Sequence, residues 1–197
     1  MNKETAEREA SLYLMLNSHP HIIYTFGYAG NDDRLPMLLQ ERATHGNLQI
    51  LLESKCFQSS TGILITILLQ ILDAMIHISS KDIVLSNLCC SNVLVFQMNL
   101  IKPSKNLVKL TNFSMTCKKN PSYVDNKQTA ISVRYCAPEI LKSTDLSNYS
   151  EASDVYSFGV LMWEACSQGK VPYGPDTSDD DIRQRRLNDE QLLRPNS

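Results

Sequence analysis

Residues 81–92 (KDIVLSNLCCSN) bring together amide, hydroxyl and thiol side chains that could take part in chemistry. The stretch follows a long apolar run and precedes a short one at 93–96, which predicts a loop between a helix and a strand. Asn87 and Asn92 can donate and accept hydrogen bonds. A neutral amide, however, does not act as a base that takes up a proton. It is also a poor ligand for Mg²⁺, which prefers anionic oxygen. We therefore expect the loop to position polar groups without taking up a proton.

The cysteine spacing matches neither a zinc site nor a thioredoxin-like redox motif, and two cysteines are adjacent inside the polar loop. A disulfide framework and free thiols in a reducing compartment are both open interpretations. We favour free thiols and a cytoplasmic location. The cysteines are Cys56, Cys89, Cys90, Cys117, Cys136 and Cys166.

Length and charge limit the classes of function. The chain has 197 residues, 43% of them hydrophobic, which predicts one globular domain with a substantial core. Its net charge of −2 gives no electrostatic support for nucleic-acid binding. Residues 1–10 are strongly charged, so no signal peptide is expected. The apolar run at 63–72 is too short and too interrupted to predict a membrane span, and a buried helix is expected instead.

The elements that must position the loop follow from hydrophobic periodicity. Helices are predicted over residues 2–17, 48–53, 61–79 and 180–193, and Leu12, Leu14 and Leu16 are the apolar positions in the first of them. Strands are predicted at 22–28 and 35–40, joined by a turn at 30–33. The pattern predicts an α+β fold in which the 61–79 helix is central.

Several motifs occur in the order and spacing of protein kinases. Residues 85–92 (LSNLCCSN) follow the rhythm of the catalytic loop His-Arg-Asp-Leu-x-x-x-Asn, and 109–114 (KLTNFS) fall where kinases have Asp-Phe-Gly. Residues 133–139 (VRYCAPE) keep Ala-Pro-Glu, and 153–164 (SDVYSFGVLMWE) resemble the helix that follows it. The chain resembles the protein kinase superfamily, in its tyrosine-kinase-like branch, over roughly residues 5 to 195.

The resemblance implies a partial, degenerate kinase domain over residues 1–197. Residues 1–42 would be a remnant of the small lobe with one helix and two strands, and 43–197 a mostly helical large lobe lacking its last helices. The glycine-rich loop and the lysine-bearing strand of the family's small lobe are not found in this sequence. The phosphate-cradling part of a kinase site is therefore missing from it.

The resemblance also assigns positions in the site. Asn87 stands at the proton-acceptor position, where kinases have Asp, and Asn112 replaces the metal-binding Asp of Asp-Phe-Gly. Asn92 keeps the second metal position. Loss of a general base typically costs ~10²–10⁴ in rate. The resemblance thus implies that phosphoryl transfer is lost.

The hinge between the lobes is expected at residues 41–48. Gln40 would be the gatekeeper, and the backbone of Glu41 and Ala43 would face an adenine. Backbone groups can bind a base whatever the side chains are, so weak binding of ATP and Mg²⁺ stays open, and no cofactor is required.

Four residues are expected to act structurally. Glu9 matches the small-lobe glutamate that pairs with the strand lysine, although a solvated helix charge is nearly as good an interpretation. Phe113 would stack with Leu85. Asp154 would accept hydrogen bonds from the catalytic-loop backbone, or else be a charge favoured by the helix dipole. Glu139 would lack its usual arginine, which would cost stability if it were buried.

The segment 112–139 corresponds to the activation segment, in which Tyr123 and Thr129 are candidate phosphorylation sites. Kinases hold such a phosphate with the catalytic-loop arginine, and Ser86 stands at that position here. Phosphorylation is therefore not expected to order the segment in the family's way.

Three functions are consistent with these residues. The first is a pseudokinase that contacts a signalling partner, such as another kinase, as a scaffold or allosteric regulator. The second is a tyrosine-type kinase that binds ATP and phosphorylates proteins as part of a longer product. The third is a decayed copy without function.

Overall fold

The computed structural model describes residues 3–29, 37–54, 57, 60–119, 132–142 and 148–195. The predicted α+β fold, with one helix and two strands ahead of a mostly helical remainder, is confirmed. Three single 3₁₀ turns lie at Cys90–Asn92, Pro103–Lys105 and Val133–Tyr135. The elements in chain order are α1 (Lys3–Leu16), β1 (Thr25–Ala29), β2 (Met37–Gln40), α2 (Leu48–Glu53), α3 (Thr61–Ser79), β3 (Ile83–Val84), β4 (Val93–Gln97), β5 (Leu107–Leu110), β6 (Cys117–Lys118), α4 (Pro138–Lys142), α5 (Glu151–Cys166) and α6 (Asp179–Leu187).

The described strands form three antiparallel pairs: β1 with β2, β3 with β6, and β4 with β5. The turn predicted at 30–33 lies outside the described residues. Strand β3 leads into the polar loop and β4 leaves it, and each is held by its own partner strand. Both ends of the loop are thereby held by strand pairing.

Helix α1, predicted over residues 2–17, lies at Lys3–Leu16 and buries one side. Ala6, Ala10, Tyr13 and Leu16 are buried at spacings of three and four, which is one side of a helix. Of the three leucines in this helix, Leu16 is buried and Leu12 packs against the core. Leu14 is 43% exposed, because residues two apart point to different sides of a helix.

Helix α3 is central to the core. Ser60 caps it by accepting a hydrogen bond from the backbone N–H of Ile63, and its bounds match the prediction. Gln70 joins it to β5, because its amide donates to Asn106 O at 2.7 Å and accepts from Val108 N at 2.8 Å. The buried residues of α3 are Ile63, Ile67, Leu68, Ile71, Ala74, Met75 and Ile78.

By length and composition alone, α3 would also be apolar enough to cross a membrane. Here, one side of the helix packs into the core with β5. Ile65, Leu69, Leu72 and Ile76 lie on its exposed side.

Helix α5 begins with a capping box formed by Ser150 and Ser153, in which each side chain hydrogen-bonds the other's backbone N–H. Helix α6 ends at Leu187, six residues before the predicted end at 193. Asn188 caps it, and Asp189 adopts a left-handed conformation (φ 60°), which ends the helical hydrogen bonding. The longer prediction was wrong because periodicity does not detect such an ending.

Candidate functional site

Asp154 of α5 holds the polar loop by its backbone. Its two carboxylate oxygens accept hydrogen bonds from Leu85 N at 2.7 Å and Ser86 N at 2.9 Å. Ser86 is in the left-handed region (φ 62°), so the chain turns sharply there. Burial raises the pKa of Asp154 to about 6, against the opposing effect of these two N–H groups, and Glu151 adds a smaller upward effect. The loop is therefore anchored to the start of α5 by main-chain contacts.

The side chain of Asn92 closes the other end of the loop. Its Nδ2 donates to the backbone carbonyl of Asn87 at 2.8 Å. Since a carbonyl can only accept, this contact identifies the nitrogen of the Asn92 amide and leaves its Oδ1 facing the opposite way. Asn87 itself is half-buried. Its backbone supports the loop, and its neutral side chain lies at the predicted proton-acceptor position.

Asn112 has every polar atom of its amide engaged. Its Nδ2 donates to Asn92 Oδ1 at 3.1 Å, and its Oδ1 accepts from the Ser114 hydroxyl at 2.8 Å. Its backbone N–H donates to the Tyr13 hydroxyl at 2.8 Å. The residue is left-handed (φ 65°), a conformation that Asn adopts more readily than most residues. Asn112 thus links α1, the polar loop and Ser114.

These contacts do not fit a magnesium site. Asn92 and Asn112 are the two predicted metal positions, and the oxygen of each already accepts a hydrogen bond from the protein. Both are neutral amides, whereas Mg²⁺ requires oxygen ligands in octahedral geometry and is usually held by carboxylates. Among the described residues, no group of three or more His, Cys, Asp or Glu side chains could hold a metal ion. The side-chain oxygens of Asn92 and Asn112 therefore serve as hydrogen-bond acceptors within the protein.

The predicted structural residues near this network are buried together. Phe113 is 1% exposed and belongs to the same buried cluster as Leu85. The ring of Tyr13, from α1, lies against Phe113 with centroids 4.8 Å apart. Glu9, one turn before Tyr13, is half-buried; burial raises the pKa of the Glu9 carboxyl, and the Tyr13 hydroxyl opposes that shift. Glu9 is therefore not simply a solvated helix charge.

The predicted hinge is tied to both β1 and β5. The Gln40 amide donates to Thr25 Oγ1 at 3.0 Å. Glu41 Oε1 accepts from Tyr24 N at 2.6 Å and from Lys109 Nζ at 2.5 Å, a partly buried ion pair. The Lys109 ammonium also lies 5.0 Å from the Phe96 ring centroid, within cation–π range. The Glu41 side chain is thus bonded to both Tyr24 and Lys109.

The backbone of Glu41 and Ala43 in the predicted hinge forms fewer hydrogen bonds than the Glu41 side chain does. Glu41 N donates to Tyr24 O. Within the part of the chain that the structure describes, the carbonyl of Glu41 and the N–H of Ala43 form no hydrogen bond. The carbonyl of Glu41 and the N–H of Ala43 are the two groups predicted to face an adenine.

Glu139 is exposed in the first turn of α4. The destabilisation expected for a buried, unpaired Glu139 does not arise, because an exposed carboxylate remains hydrated. A different buried carboxylate is present nearby: Glu164 of α5 is 1% exposed and accepts a hydrogen bond from the Tyr135 hydroxyl. Tyr123 and Thr129 lie outside the described residues.

Arg134 organises the chain after α5. Its guanidinium donates to the carbonyls of Pro172 and Gly174, both at 2.7 Å, and of Thr177 at 2.8 Å. These bonds satisfy backbone acceptors in a segment without regular structure. The Ala-Pro-Glu region is thereby connected to the segment that leads into α6.

Sequence reasoning missed Tyr13, Lys109 and Glu164. The spacing of Tyr13 from Ala6 and Ala10 could have placed it on the buried face of α1, and it lies four residues after Glu9. No sequence signal pairs Lys109 with Glu41 or Glu164 with Tyr135, since those pairs are 68 and 29 residues apart.

Comparisons with known proteins identify a family for this chain. A family model described as protein tyrosine and serine/threonine kinase matches residues 1–197. The chain is 31% identical over 157 residues to the tyrosine-protein kinase csk-1 of Caenorhabditis elegans, covering 79% of this chain and 27% of that protein. It is 27% identical over 177 residues to the tyrosine-protein kinase Btk of Drosophila melanogaster, covering 88% and 21%.

The fibroblast growth factor receptor 2 of Dugesia japonica is 29% identical over 187 residues, covering 87% of this chain and 20% of that receptor. The chain thus spans between a fifth and about a quarter of the length of these relatives. Because the family model extends over the whole chain, the chain belongs to the protein tyrosine and serine/threonine kinase family.

Proposed function

We propose that this chain is a tyrosine-kinase-like pseudokinase domain that acts as a signalling scaffold or allosteric regulator and has lost phosphoryl transfer. The observation that carries this proposal is the closure of the Asn112 amide on Asn92 and Ser114. It occupies the oxygens at both positions where a kinase would hold its metal ions. Asn87 adds a neutral amide at the proton-acceptor position.

The partner is a signalling protein, such as another kinase, since kinase-domain proteins generally act with signalling proteins. We place the domain in the cytoplasm. The described cysteines are all free thiols, which suits a reducing compartment. We propose the same lack of phosphoryl transfer and the same class of partner for the domain within a longer protein.

A transfer assay tests the loss of catalysis. The purified chain is incubated with ATP, Mg²⁺ and a tyrosine-containing peptide, and phosphate incorporation is measured in both peptide and chain. We expect none. Autophosphorylation that disappears in the Asn92→Ala variant would overturn the proposal, because it would show that Asn92 supports a working site.

Thermal denaturation tests nucleotide binding separately. Melts are compared without nucleotide, with ATP and Mg²⁺, and with ATP and a chelator. A ligand at 100 times its Kd stabilises by ~2.7 kcal/mol, and ~1 kcal/mol shifts the midpoint by roughly 2–4 °C in a domain of this size. A shift identifies a nucleotide-sensing pseudokinase, and a cooperative melt without a shift identifies a scaffold that acts without nucleotide. Absence of a cooperative melt would instead favour a decayed copy.

The second candidate is a protein tyrosine kinase that binds ATP as part of a longer product. The unused backbone groups of Glu41 and Ala43 favour it, because they could accept an adenine. It predicts that Asn87→Asp combined with Asn112→Asp, in the longer product, raises turnover steeply. No response to these changes would count against it.

A further inference from the structure

Helix α3 carries a second apolar face, on the side that points away from the core. Four large apolar residues lie there, each between 37% and 61% exposed. We call them the exposed stripe, and they are Ile65, Leu69, Leu72 and Ile76. Single exposed apolar residues are common on protein surfaces, whereas contiguous apolar patches mark interaction sites.

The spacing of the exposed stripe indicates the shape of its partner. Successive residues are four, three and four positions apart, which is the alternation of the a and d positions in a heptad repeat. In a coiled coil, such residues form a seam that packs knobs-into-holes against the same spacing on a second helix. The exposed stripe therefore fits another helix that presents a short apolar seam.

The order of residue types makes the exposed stripe complementary to itself. In either direction along the helix the residues are Ile, Leu, Leu and Ile, with the same spacings. Two copies of α3 that run antiparallel about a two-fold axis would place Ile65 opposite Ile76 and Leu69 opposite Leu72. Each copy would then use the same surface, and the contact would close on itself as a dimer.

The charge of α3 favours the antiparallel direction. Asp73 is the only Asp, Glu, Lys or Arg in α3, and at 3.6 residues per turn it lies at the edge of the exposed stripe. In an antiparallel pair, Asp73 of one copy faces Thr66 of the other, ~10 Å along the helix from the second Asp73. A parallel pair would place the two Asp73 carboxylates at the same level.

The loop between β4 and β5 extends the apolar surface past the start of α3. Gly62 stands seven residues before Leu69, on the same side of the helix, and a Cβ there would lie 3.6 Å from Pro103 Cγ. Leu100 and Ile101, shortly before Pro103, are 49% and 88% exposed. In the antiparallel pair, this end of one copy meets the far end of α3 in the other. The loop therefore adds apolar area at both ends of the contact.

We propose that the exposed stripe of α3 is a homodimer contact, against which a second copy of this chain packs its own α3 in the antiparallel direction. The contact is small, because it consists of one short seam and the adjoining loop. Interfaces below ~1,200 Å² in total are typical of weak, transient association, so the dimer forms in a concentration-dependent way. This inference is independent of whether the chain binds nucleotide or transfers phosphate.

The first test is analytical ultracentrifugation of the chain over a wide range of concentration. Leu69→Gln removes the apolar centre of the seam and keeps a similar helix propensity. It should raise the Kd for self-association about tenfold or more. Met15→Gln is the matched control, since Met15 is 49% exposed in α1, and it should leave the Kd unchanged. A chain that stays monomeric at every concentration, or a dimer that Leu69→Gln does not weaken, would overturn the proposal.

The second test determines the direction of the two helices by disulfide cross-linking in a Cys166→Ser background, because Cys166 is exposed. A chain carrying Ile65→Cys is mixed with one carrying Ile76→Cys, and peptide mapping by mass spectrometry identifies the joined positions. Cross-links should join position 65 to position 76. In the antiparallel pair the two 65 positions are ~16 Å apart, too far for a disulfide. Links from 65 to 65 would contradict the antiparallel arrangement.

A third test separates a second copy from a lipid surface, because α3 is also long and apolar enough to cross a membrane by composition. The chain is sedimented with phosphatidylcholine vesicles. No binding is expected. Vesicle binding that Leu69→Gln abolishes, by a chain that is monomeric without vesicles, would replace the dimer with a lipid-binding surface.

The thermal midpoint at low chain concentration is the control for folding. Leu69→Gln should match the native chain there, because Leu69 is 59% exposed in the monomer. If its midpoint falls, Ile76→Gln replaces it in the ultracentrifuge, since Ile76 is 61% exposed. A folded Ile76→Gln chain that associates less supports the homodimer contact, and one that associates equally refutes it.

Discussion

The side-chain amides of Asn92 and Asn112 face each other across 3.1 Å, with Asn112 as donor. The direction of this bond is determined by the neighbouring groups, since Asn92 must donate to the Asn87 carbonyl and Asn112 must accept from the Ser114 hydroxyl. A carboxylate at either position would place two acceptors in contact. The pair therefore depends on both residues being amides.

Asn112→Asp should destabilise the chain by ~1–3 kcal/mol, because the donor to Asn92 Oδ1 is replaced by an acceptor. Added Mg²⁺ should recover part of this loss, since it can bridge the new carboxylate and the Asn92 oxygen, while the native chain should not respond. Thermal midpoints with and without Mg²⁺ measure both effects. Asn148→Asp, at an exposed position, is the control. An equal Mg²⁺ response in the native chain would contradict this prediction.

Asp154 should make stability fall as pH rises through the mildly acidic range. Its pKa is about 6 in the folded chain and 3.8 ordinarily, so the folded state keeps a proton that the unfolded state releases. Its contribution to the free energy of unfolding is fully present below pH 3.8 and is lost as pH rises through about 6. The slope is at most ~1.4 kcal/mol per pH unit.

Denaturant unfolding of the native chain and of Asp154→Asn, across this pH range, measures the contribution. The native chain should lose stability relative to the variant as pH rises. The variant will differ in absolute stability, since its amide cannot accept both backbone N–H groups, so only the slope is compared. Parallel pH profiles would show that Asp154 does not titrate in this range.

Tyr135→Phe should destabilise the chain by ~1–3 kcal/mol, because it removes a hydrogen-bond donor from the buried Glu164 carboxylate. Burial raises the pKa of Glu164 and the Tyr135 hydroxyl lowers it, so the hydroxyl stabilises the charged form in particular. The cost of the substitution should therefore grow as pH rises. Denaturant unfolding at mildly acidic and mildly alkaline pH tests this, with the exposed Tyr24→Phe as control.

Ile71→Ala should cost ~2–5 kcal/mol, because its side chain is 1% exposed in the centre of α3 and truncation leaves a cavity. Ile65→Ala in the same helix should cost far less, since Ile65 is 52% exposed. The two variants have the same change in helix propensity, so the difference between their thermal midpoints measures packing alone. Similar midpoints would mean that α3 is not packed as described.

The sequence was sufficient for helices α2 and α3 and for the chemical types of the residues at the site. The bounds of α2 and α3 follow from Asn47 and Ser60, which cap the helices with their own side chains, and from strong local periodicity. The neutral character of positions 87, 92 and 112 is likewise a property of the residues themselves. Local interactions join residues that are close in the sequence, so they can be predicted from the sequence pattern.

Tertiary structure decided which of these groups meet. Tyr13 and Asn112 are 99 residues apart, and Asn92 and Asn112 are 20 apart, yet each pair is in hydrogen-bond contact. The exposure of Glu139 and the burial of Glu164 also depend on how α4 and α5 pack, which neither segment encodes alone. Hydrogen bonds require atoms within about 3 Å in a defined direction. Only the folded arrangement of α1, the polar loop and the Asn112 segment determines that geometry.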